Sequence, residues 1–171
     1  ELLNQKEKAK VAFELIVSTF SERLYWHIRR MVNYHEDADD VLQNTFIKIW
    51  KNLSSFRGDS KLYTWLYRVA TNEALDHIRK NKKLQMVGTD GESVEYDNVR
   101  GDMYFDSEMA EGKLHRAIAT LPEKQRLVFN LKYFEEMKYE DMAEVTGTSV
   151  GALKASYSLA VGKIKEYLSK D

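Results

Sequence analysis

Proline is almost absent from this chain: its 171 residues include one, Pro122, and eight glycines. Proline breaks a helix from within and glycine weakens one, so such a chain can form long uninterrupted helices. Apolar residues recur at every third or fourth position through most of the sequence, as they do in amphipathic helices. We therefore predict an all-α fold.

The net charge of −1 conceals a segregation of charge along the chain. Residues 1–83 hold 15 basic and 11 acidic residues, and residues 113–171 hold 10 and 8, whereas residues 84–112 hold one basic and eight acidic residues. This middle segment also loses the helical period and contains four glycines. It predicts a flexible acidic linker, disordered or ordered by a partner, between two small helical domains.

Residues 1–83 predict three helices. The first buries a stripe that includes Leu24 and Ile28, and the second begins near Glu36 with acidic first turns. The turn-rich segment 54–60 predicts a loop, with Ser60 as N-cap of the third helix. We expect that helix to bury Trp65 and to end in the basic run 79–83. The predicted inward stripe of the second helix is Ala38, Val41, Leu42, Thr45, Phe46, Ile49, Trp50 and Leu53.

Residues 113–171 predict a helix-turn-helix. A short helix starts at Lys113, and Pro122 suits the first position of the next helix. A third helix over 139–145, a turn at Gly147 and a final helix over about 149–168 complete the pattern.

Several classes of site are disfavoured by composition. The chain has no Cys, its four His are scattered, and no apolar stretch approaches the roughly 20 residues of a membrane span. We read the four His as ordinary surface or boundary residues. Residues 1–5 lack the basic flank and apolar core of a secretion signal, and because Glu1 is not Met we expect a trimmed N-terminus. We predict a cytoplasmic protein without catalytic residues, metal or cofactor.

Two helix faces are candidates for binding. Asp37, Asp40, Gln43 and Asn44 share the outward face of the second helix, where a solvated surface is as good an explanation as a binding site. The third helix should face outward with Lys61, Thr64, Arg68, Thr71, Asn72, Arg79 and Lys80. Its aromatic residues Tyr63, Trp65 and Tyr67 could stack on or wedge against unpaired bases. Its cations suit phosphates, and Thr71 and Asn72 suit base edges.

The motifs resemble those of bacterial sigma factors. Residues 37–50 (DADDVLQNTFIKIW) resemble the helix of region two that binds core RNA polymerase, and residues 56–80 are similar to the segment that melts promoters and reads the minus-ten element. Residues 121–168 resemble region four, which reads the minus-thirty-five element. The short acidic linker in place of the intermediate region is typical of the extracytoplasmic-function subfamily.

The resemblance implies partners and site residues. Core polymerase would bind through its beta-prime clamp helices and beta flap, promoter DNA would bind both domains, and an anti-sigma factor would inhibit. The implied polymerase-binding residues are Asp37, Asp40, Gln43 and Asn44. In the first domain, the loop would capture a flipped base, and the implied DNA-binding residues are Ser55, Phe56, Arg57, Gly58, Lys61, Arg68, Asn72, Arg79 and Lys80. In the second domain they are Ser149, Gly151, Ala152, Lys154, Ala155, Ser156 and Ser158.

The final helix departs from the usual form of the family, which has several Arg in its first turns. Its outward face is small and nearly neutral, so close approach to a DNA groove and contacts with thymine methyl groups are available. Electrostatic attraction to the DNA phosphates must come from other cations. The candidates are Lys124, Arg126, Lys132, Lys163 and Lys165.

Two other functions compete with this interpretation. A stand-alone helix-turn-helix regulator would explain residues 122–169 but would leave both faces of the first domain without a role. Such regulators usually dimerise, and no dimerisation helix is evident. An enzyme that uses the carboxylates of 36–40 to hold Mg²⁺ would need a phosphate-binding loop or a base nearby, and the sequence offers neither.

Overall fold

The computed structural model of the chain describes residues 2–32, 34–88 and 110–170. These residues form seven α-helices, one 3-10 helix and no β-strand, which confirms the all-α prediction. The elements are α1 (Leu2–Arg29), α2 (His35–Asn52), the 3-10 helix (Leu53–Ser55), α3 (Leu62–Gly88), α4 (Ala110–Ala119), α5 (Glu123–Tyr133), α6 (Tyr139–Thr146) and α7 (Val150–Ser169). The chain divides into two compact units, unit 1 (Glu1–Lys80) and unit 2 (Asn81–Asp171).

Unit 1 buries the apolar stripes of its first two helices and one side of α3. Leu24 and Ile28 of α1 are fully buried, as are Ala70 and Ala74 of α3. On α2, the buried residues are Ala38, Val41, Thr45 and Ile49. Aromatic edges join α1 to α2, since the Phe13 ring centroid lies 5.1 Å from that of Trp50. The helical period thus identified most of this core correctly.

Five side chains that we expected at the surface or its boundary are buried instead. Tyr67 is fully buried, with its ring centroid 5.0 Å from that of His27, and Thr64 and Thr71 are also buried. His27 was predicted at the surface or boundary, but its Nε2 lies 2.8 Å from the Thr71 hydroxyl inside the core. The same prediction was wrong for His115, which is buried and stacks on Phe134.

Residues 84–112, the predicted linker, are helical at both ends. Helix α3 continues past Lys83 to Gly88, because residues 84–87 hold neither Gly nor Pro, and α4 begins at Ala110. Residues 89–109 lie outside the described part of the chain. The flexibility and the limits of the acidic linker therefore stay predictions.

At the start of α3, the predicted cap was wrong. The helix begins at Leu62, so Lys61 and not Ser60 occupies the N-cap position, and the Trp65 amide donates to the Lys61 carbonyl at 3.1 Å. Pro122 likewise takes the N-cap position of α5, one residue before the predicted place.

Unit 2 packs α4, α5 and α7 around one apolar cluster. Its buried members are Ala117, Ile118, Leu121, Phe129, Ala160 and Ile164. The predicted turn between α6 and α7 is present: Gly147 has φ of 67°, and its amide donates to the Ala143 carbonyl at 2.9 Å. The Ser149 hydroxyl then caps α7 by accepting from the Ala152 amide at 3.3 Å. This arrangement is the predicted helix-turn-helix.

Candidate protein and nucleic-acid interfaces

A polar face runs along the outside of α2. Asp40, Gln43 and Asn44 lie three and four positions apart, and all three are exposed. The buried residues Val41 and Thr45 point to the other side of the helix, where the Thr45 hydroxyl donates to the Val41 carbonyl at 2.7 Å. The packing of unit 1 therefore leaves these three polar side chains available for a partner.

Two apolar residues of α2 add to this face. Ile47 is 45% exposed and lies seven positions after Asp40, on the same side of the helix. Trp50, which we expected to be buried, is 47% exposed, although its ring contacts that of Phe13 at an interplanar angle of 67°. The spacing of Ile47 from Asp40 and Asn44 was the signal that could have revealed it. Exposed apolar area next to polar groups is typical of a protein-binding surface.

Ion pairs tie α2 to α3. His77 Nε2 lies 3.1 Å from Asp37 Oδ1, and both side chains are about three-quarters buried. Lys48 on α2 pairs with Glu73 on α3. Asp37 therefore lies at the edge of the polar face and holds a structural contact, whereas Asp40 lies at its middle.

The outward face of α3 is cationic and polar. Lys61, Arg68, Asn72 and Arg79 are exposed, and their spacing of seven, four and seven residues aligns them on one side of the helix. Arg79 Nη1 donates to Asp76 Oδ1 at 2.9 Å on the same surface. Lys80 is exposed but lies off this line. The aligned set suits a nucleic-acid strand that follows the helix.

A buried polar contact fixes the rotation of α3. His27 of α1 pairs with Thr71, the neighbour of the exposed Asn72. Burial, and then the charge of Arg30, lower the pKa of His27 to about 3. The ring is therefore neutral near physiological pH. Because Thr71 points inward to this ring, Asn72 is directed outward.

The loop before α3 is shaped by one ring contact and one glycine. The Phe56 ring centroid lies 5.1 Å from that of Trp65, which anchors the loop to α3. Gly58 has φ of 77°, a conformation that other residues adopt at a cost. Ser55 and Arg57 are exposed on either side of Phe56. The predicted loop begins in fact as the 3-10 turn Leu53–Ser55.

The outward face of α7 consists of small residues. Gly151, Ala152, Ala155 and Ser158 are exposed, whereas Ser156 is half-buried. A Cβ at Gly151 would meet no heavy atom within 4 Å, so the space outside this turn is open. Two other predicted residues differ from this pattern: Ser149 serves as the helix cap, and Lys154 is the one exposed cation of the first three turns.

The other cations of unit 2 that we expected to contact DNA phosphates are either exposed or hydrogen-bonded to the backbone. Lys124, Lys163 and Lys165 are exposed. Arg126 instead serves the fold, because its Nη2 donates to the Ala119 carbonyl at 2.7 Å at the end of α4. Lys132 is half-buried, and its Nζ donates to the Met137 carbonyl at 3.2 Å.

Residues 2–32, 34–88 and 110–170 hold neither a cluster of metal-ligating side chains nor a membrane-spanning helix. They contain no group of three or more His, Asp or Glu side chains arranged to hold a metal ion. None of their helices combines the length and the apolar character that crossing a membrane requires.

Comparison with known proteins accounts for both units. Residues 16–84 match the Sigma-70 region 2 family, and residues 111–164 match Sigma-70, region 4. The RNA polymerase sigma-H factor of Pseudomonas aeruginosa is 35% identical over 155 residues, which cover 85% of this chain and 80% of that protein. The ECF RNA polymerase sigma factor SigW of Bacillus subtilis is 32% identical over 153 residues, 84% of this chain and 81% of that protein. The chain belongs to the extracytoplasmic-function sigma factors.

A solved sigma factor shares the fold. The sigma factor RpoE of Bartonella quintana, crystallised in complex with the anti-sigma factor NepR, superposes with a TM-score of 0.75. The two chains are 26% identical, and the match covers 94% of this sigma factor and 98% of the other.

As a sigma factor, the chain binds core RNA polymerase and directs promoter-specific initiation of transcription. The region 2 match includes the exposed faces of both α2 and α3. A stand-alone helix-turn-helix regulator has no use for them, so that alternative is not favoured. The family also consists of initiation factors rather than enzymes, which disfavours the Mg²⁺-dependent enzyme.

Proposed function

We propose that the outward face of α2 attaches this sigma factor to the beta-prime clamp helices of core polymerase. The proposed contacts are Asp40, Gln43 and Asn44 at the centre and Asp37 at the edge, with Ile47 added from the structure. The observation that supports this most is the continuous exposed face in a helix whose other side is fully used by the core. Unit 2 is proposed to meet the beta flap.

In unit 1, we propose that α3 and the loop before it open the promoter and bind the minus-ten strand. Lys61, Arg68, Arg79 and Lys80 would neutralise phosphates, and Asn72 would contact base edges. The loop would hold one flipped base between the polar groups of Ser55, Arg57 and Gly58 and the ring of Phe56. Flipping costs a few kcal/mol, so such a loop must offer both stacking and hydrogen bonds.

In unit 2, we propose that α7 enters the major groove at the minus-thirty-five element. The small side chains of Gly151, Ala152, Ala155, Ser156 and Ser158 would let the helix backbone approach the base edges closely. Lys154 would contact the backbone or a base edge beside them, while Ser149 would fix the start of the helix.

We infer an anti-sigma factor as a further partner, because the matched sigma factor RpoE of Bartonella quintana was crystallised in complex with the anti-sigma factor NepR. A partner of this kind would cover the faces of α2 and α3. We also propose that the protein acts in the cytoplasm, where polymerase and promoters are, without catalytic activity or cofactor of its own.

Transcription with purified components tests this assignment. Core polymerase mixed with the full chain should yield promoter-dependent run-off transcripts from a genomic fragment library, and core polymerase alone should not. Binding of the chain to discrete duplex sites without polymerase, combined with no effect on transcription, would favour the regulator and contradict the proposal.

A further inference from the structure

Tyr139 of α6 faces a lysine from each of two other helices of unit 2. Lys132 Nζ of α5 lies 4.8 Å from the centroid of its ring, and Lys154 Nζ of α7 lies 5.7 Å from it. Both distances are within the ~6 Å over which an ammonium group is attracted to an aromatic face. One half-buried ring thus contacts the ammonium groups of two lysines from separate helices.

The position of Lys154 matters because α7 offers so little charge. Between Val150 and Gly162 this lysine is the one charged residue in the sequence. A lysine side chain has a flexible four-carbon stem, and fixing it on a ligand costs conformational entropy. A lysine that already rests on a ring in the free protein loses less when it binds.

Lys132 is held at two points, by the Tyr139 ring and by its hydrogen bond to the Met137 carbonyl. Tyr157 of α7 lies near the same place. Burial raises the pKa of its phenol, and the neighbouring phenols of Tyr139 and Tyr133 raise it further. The phenol therefore stays neutral and can donate a hydrogen bond. Two ammonium groups with a phenol nearby make a suitable setting for a phosphodiester.

We propose that Tyr139 is a positioning residue for DNA binding, whose ring holds Lys132 and Lys154 ready for the phosphate backbone of duplex DNA. This inference rests on the proposed reading of DNA by α7. Phosphate contacts fix the position of a protein on the duplex without reading sequence. The two lysines would supply the attraction to phosphates that the small, nearly neutral face of α7 lacks.

The test uses the full chain and short fluorescein-labelled duplexes of random sequence, with affinity measured by anisotropy over a salt series. Lys154→Met should lower the slope of log affinity against log salt by about 0.9, the value for one lost phosphate contact. Tyr139→Leu should weaken binding about twofold to fivefold, and Tyr139→Phe should bind like the wild type because the ring is kept. Lys170→Met is the control, because this exposed lysine at the end of α7 pairs with Glu166 at 2.8 Å and is not among the expected DNA contacts.

A double-mutant comparison separates positioning from a merely structural role. Where both lysines are replaced by Met, Tyr139→Leu should cause no further loss of affinity. The same twofold to fivefold loss in that background, or an equal loss in Tyr139→Phe, would overturn the inference. The lysine variants and Tyr139→Phe keep the test decisive should Tyr139→Leu fold poorly.

Ala155→Glu distinguishes failure of this inference from failure of the proposed function. A carboxylate on the outward face of α7 should repel the duplex strongly. If Ala155→Glu weakens binding but Lys154→Met and Tyr139→Leu do not, the positioning role is refuted and the reading by α7 survives. If affinity is unchanged in all three variants, both are refuted.

Discussion

Helices α3 and α7 are both proposed to meet DNA, but they present opposite surfaces. The face of α3 has long side chains such as Arg68 and Arg79, whereas that of α7 has Gly151, Ala155 and Ser158. Long polar side chains can follow a separated strand, and small ones allow the backbone of a helix to enter the groove of a closed duplex. Truncating the long side chains of α3 should therefore impair DNA binding by unit 1, and adding bulk to the small face of α7 should impair DNA binding by unit 2.

The supports beneath these two helices differ as well. Helix α3 is oriented by the buried pair His27–Thr71, whereas α7 packs on an apolar cluster through Ala160 and Ile164. The apolar contacts of α7 do not change with pH, whereas the buried imidazole of His27 can be protonated. Acid should therefore lower the unfolding free energy of unit 1, and a substitution of His27 should remove this part of the pH dependence.

The largest expected effect comes from His27. Its pKa is about 3 in the folded chain, against 6.5 for the free side chain, so the unfolded state binds more protons between these values. Stability contributed by the neutral ring is present above pH 6.5 and is lost as pH falls toward 3. Between about pH 7 and pH 5, the wild type should lose roughly 2 kcal/mol more unfolding free energy than His27→Gln.

Urea unfolding followed by tryptophan fluorescence measures this difference, because Trp26, Trp50 and Trp65 all belong to unit 1. Thr71→Val serves as a control that removes the hydroxyl but keeps the titrating ring. Parallel stability curves for the wild type and His27→Gln would show that this histidine has no part in acid sensitivity.

A smaller effect is expected from truncating the face of α3. Arg68→Ala combined with Asn72→Ala should reduce open complexes about tenfold, since the two lost contacts, one to a phosphate and one to a base, are together worth roughly 1.4 kcal/mol. Helix content should not change, because both side chains are exposed. Permanganate footprinting of the promoter bubble detects the loss, with Glu14→Ala on α1 as the control. A bubble of normal reactivity would remove α3 from promoter melting.

The smallest of the three effects is expected from enlarging α7. Gly151→Leu should weaken binding to an upstream promoter duplex about fivefold, by keeping the helix away from the bases. The free protein should tolerate the change, because the space around Gly151 is open. Gly151→Ala is the matched control: it should raise stability by up to about 1 kcal/mol and leave more of the affinity intact. Unaltered binding by the leucine variant would mean that α7 does not approach the groove closely.

Patterns within single helices were predictable from the sequence. The period of apolar residues located all three helices of unit 1 and the exposed face of Asp40, Gln43 and Asn44. The turn at Gly147 was also predictable, because the geometry of such a turn depends only on residues that are neighbours in the sequence.

Pairings between distant residues were not predictable. His27 reads as a boundary residue until Thr71, 44 positions later, is placed against it. Asp37 reads as a free carboxylate until α3 brings His77 to it, and Tyr139 has no evident role until α5 and α7 supply Lys132 and Lys154. The spacing of apolar residues along one helix does not show which polar groups of another helix will pack against it.

The proposed binding of polymerase through the outer face of α2 is the interaction on which the function of unit 1 depends most. Its most direct test is a titration of core RNA polymerase with the full chain and with the Asp40→Ala, Gln43→Ala double variant. Both side chains are exposed, so unfolding free energy should change by less than about 0.5 kcal/mol for each substitution. The affinity for core polymerase should fall at least about tenfold, as for the central contacts of an interface. An equal affinity for both proteins, at equal stability, would contradict the claim.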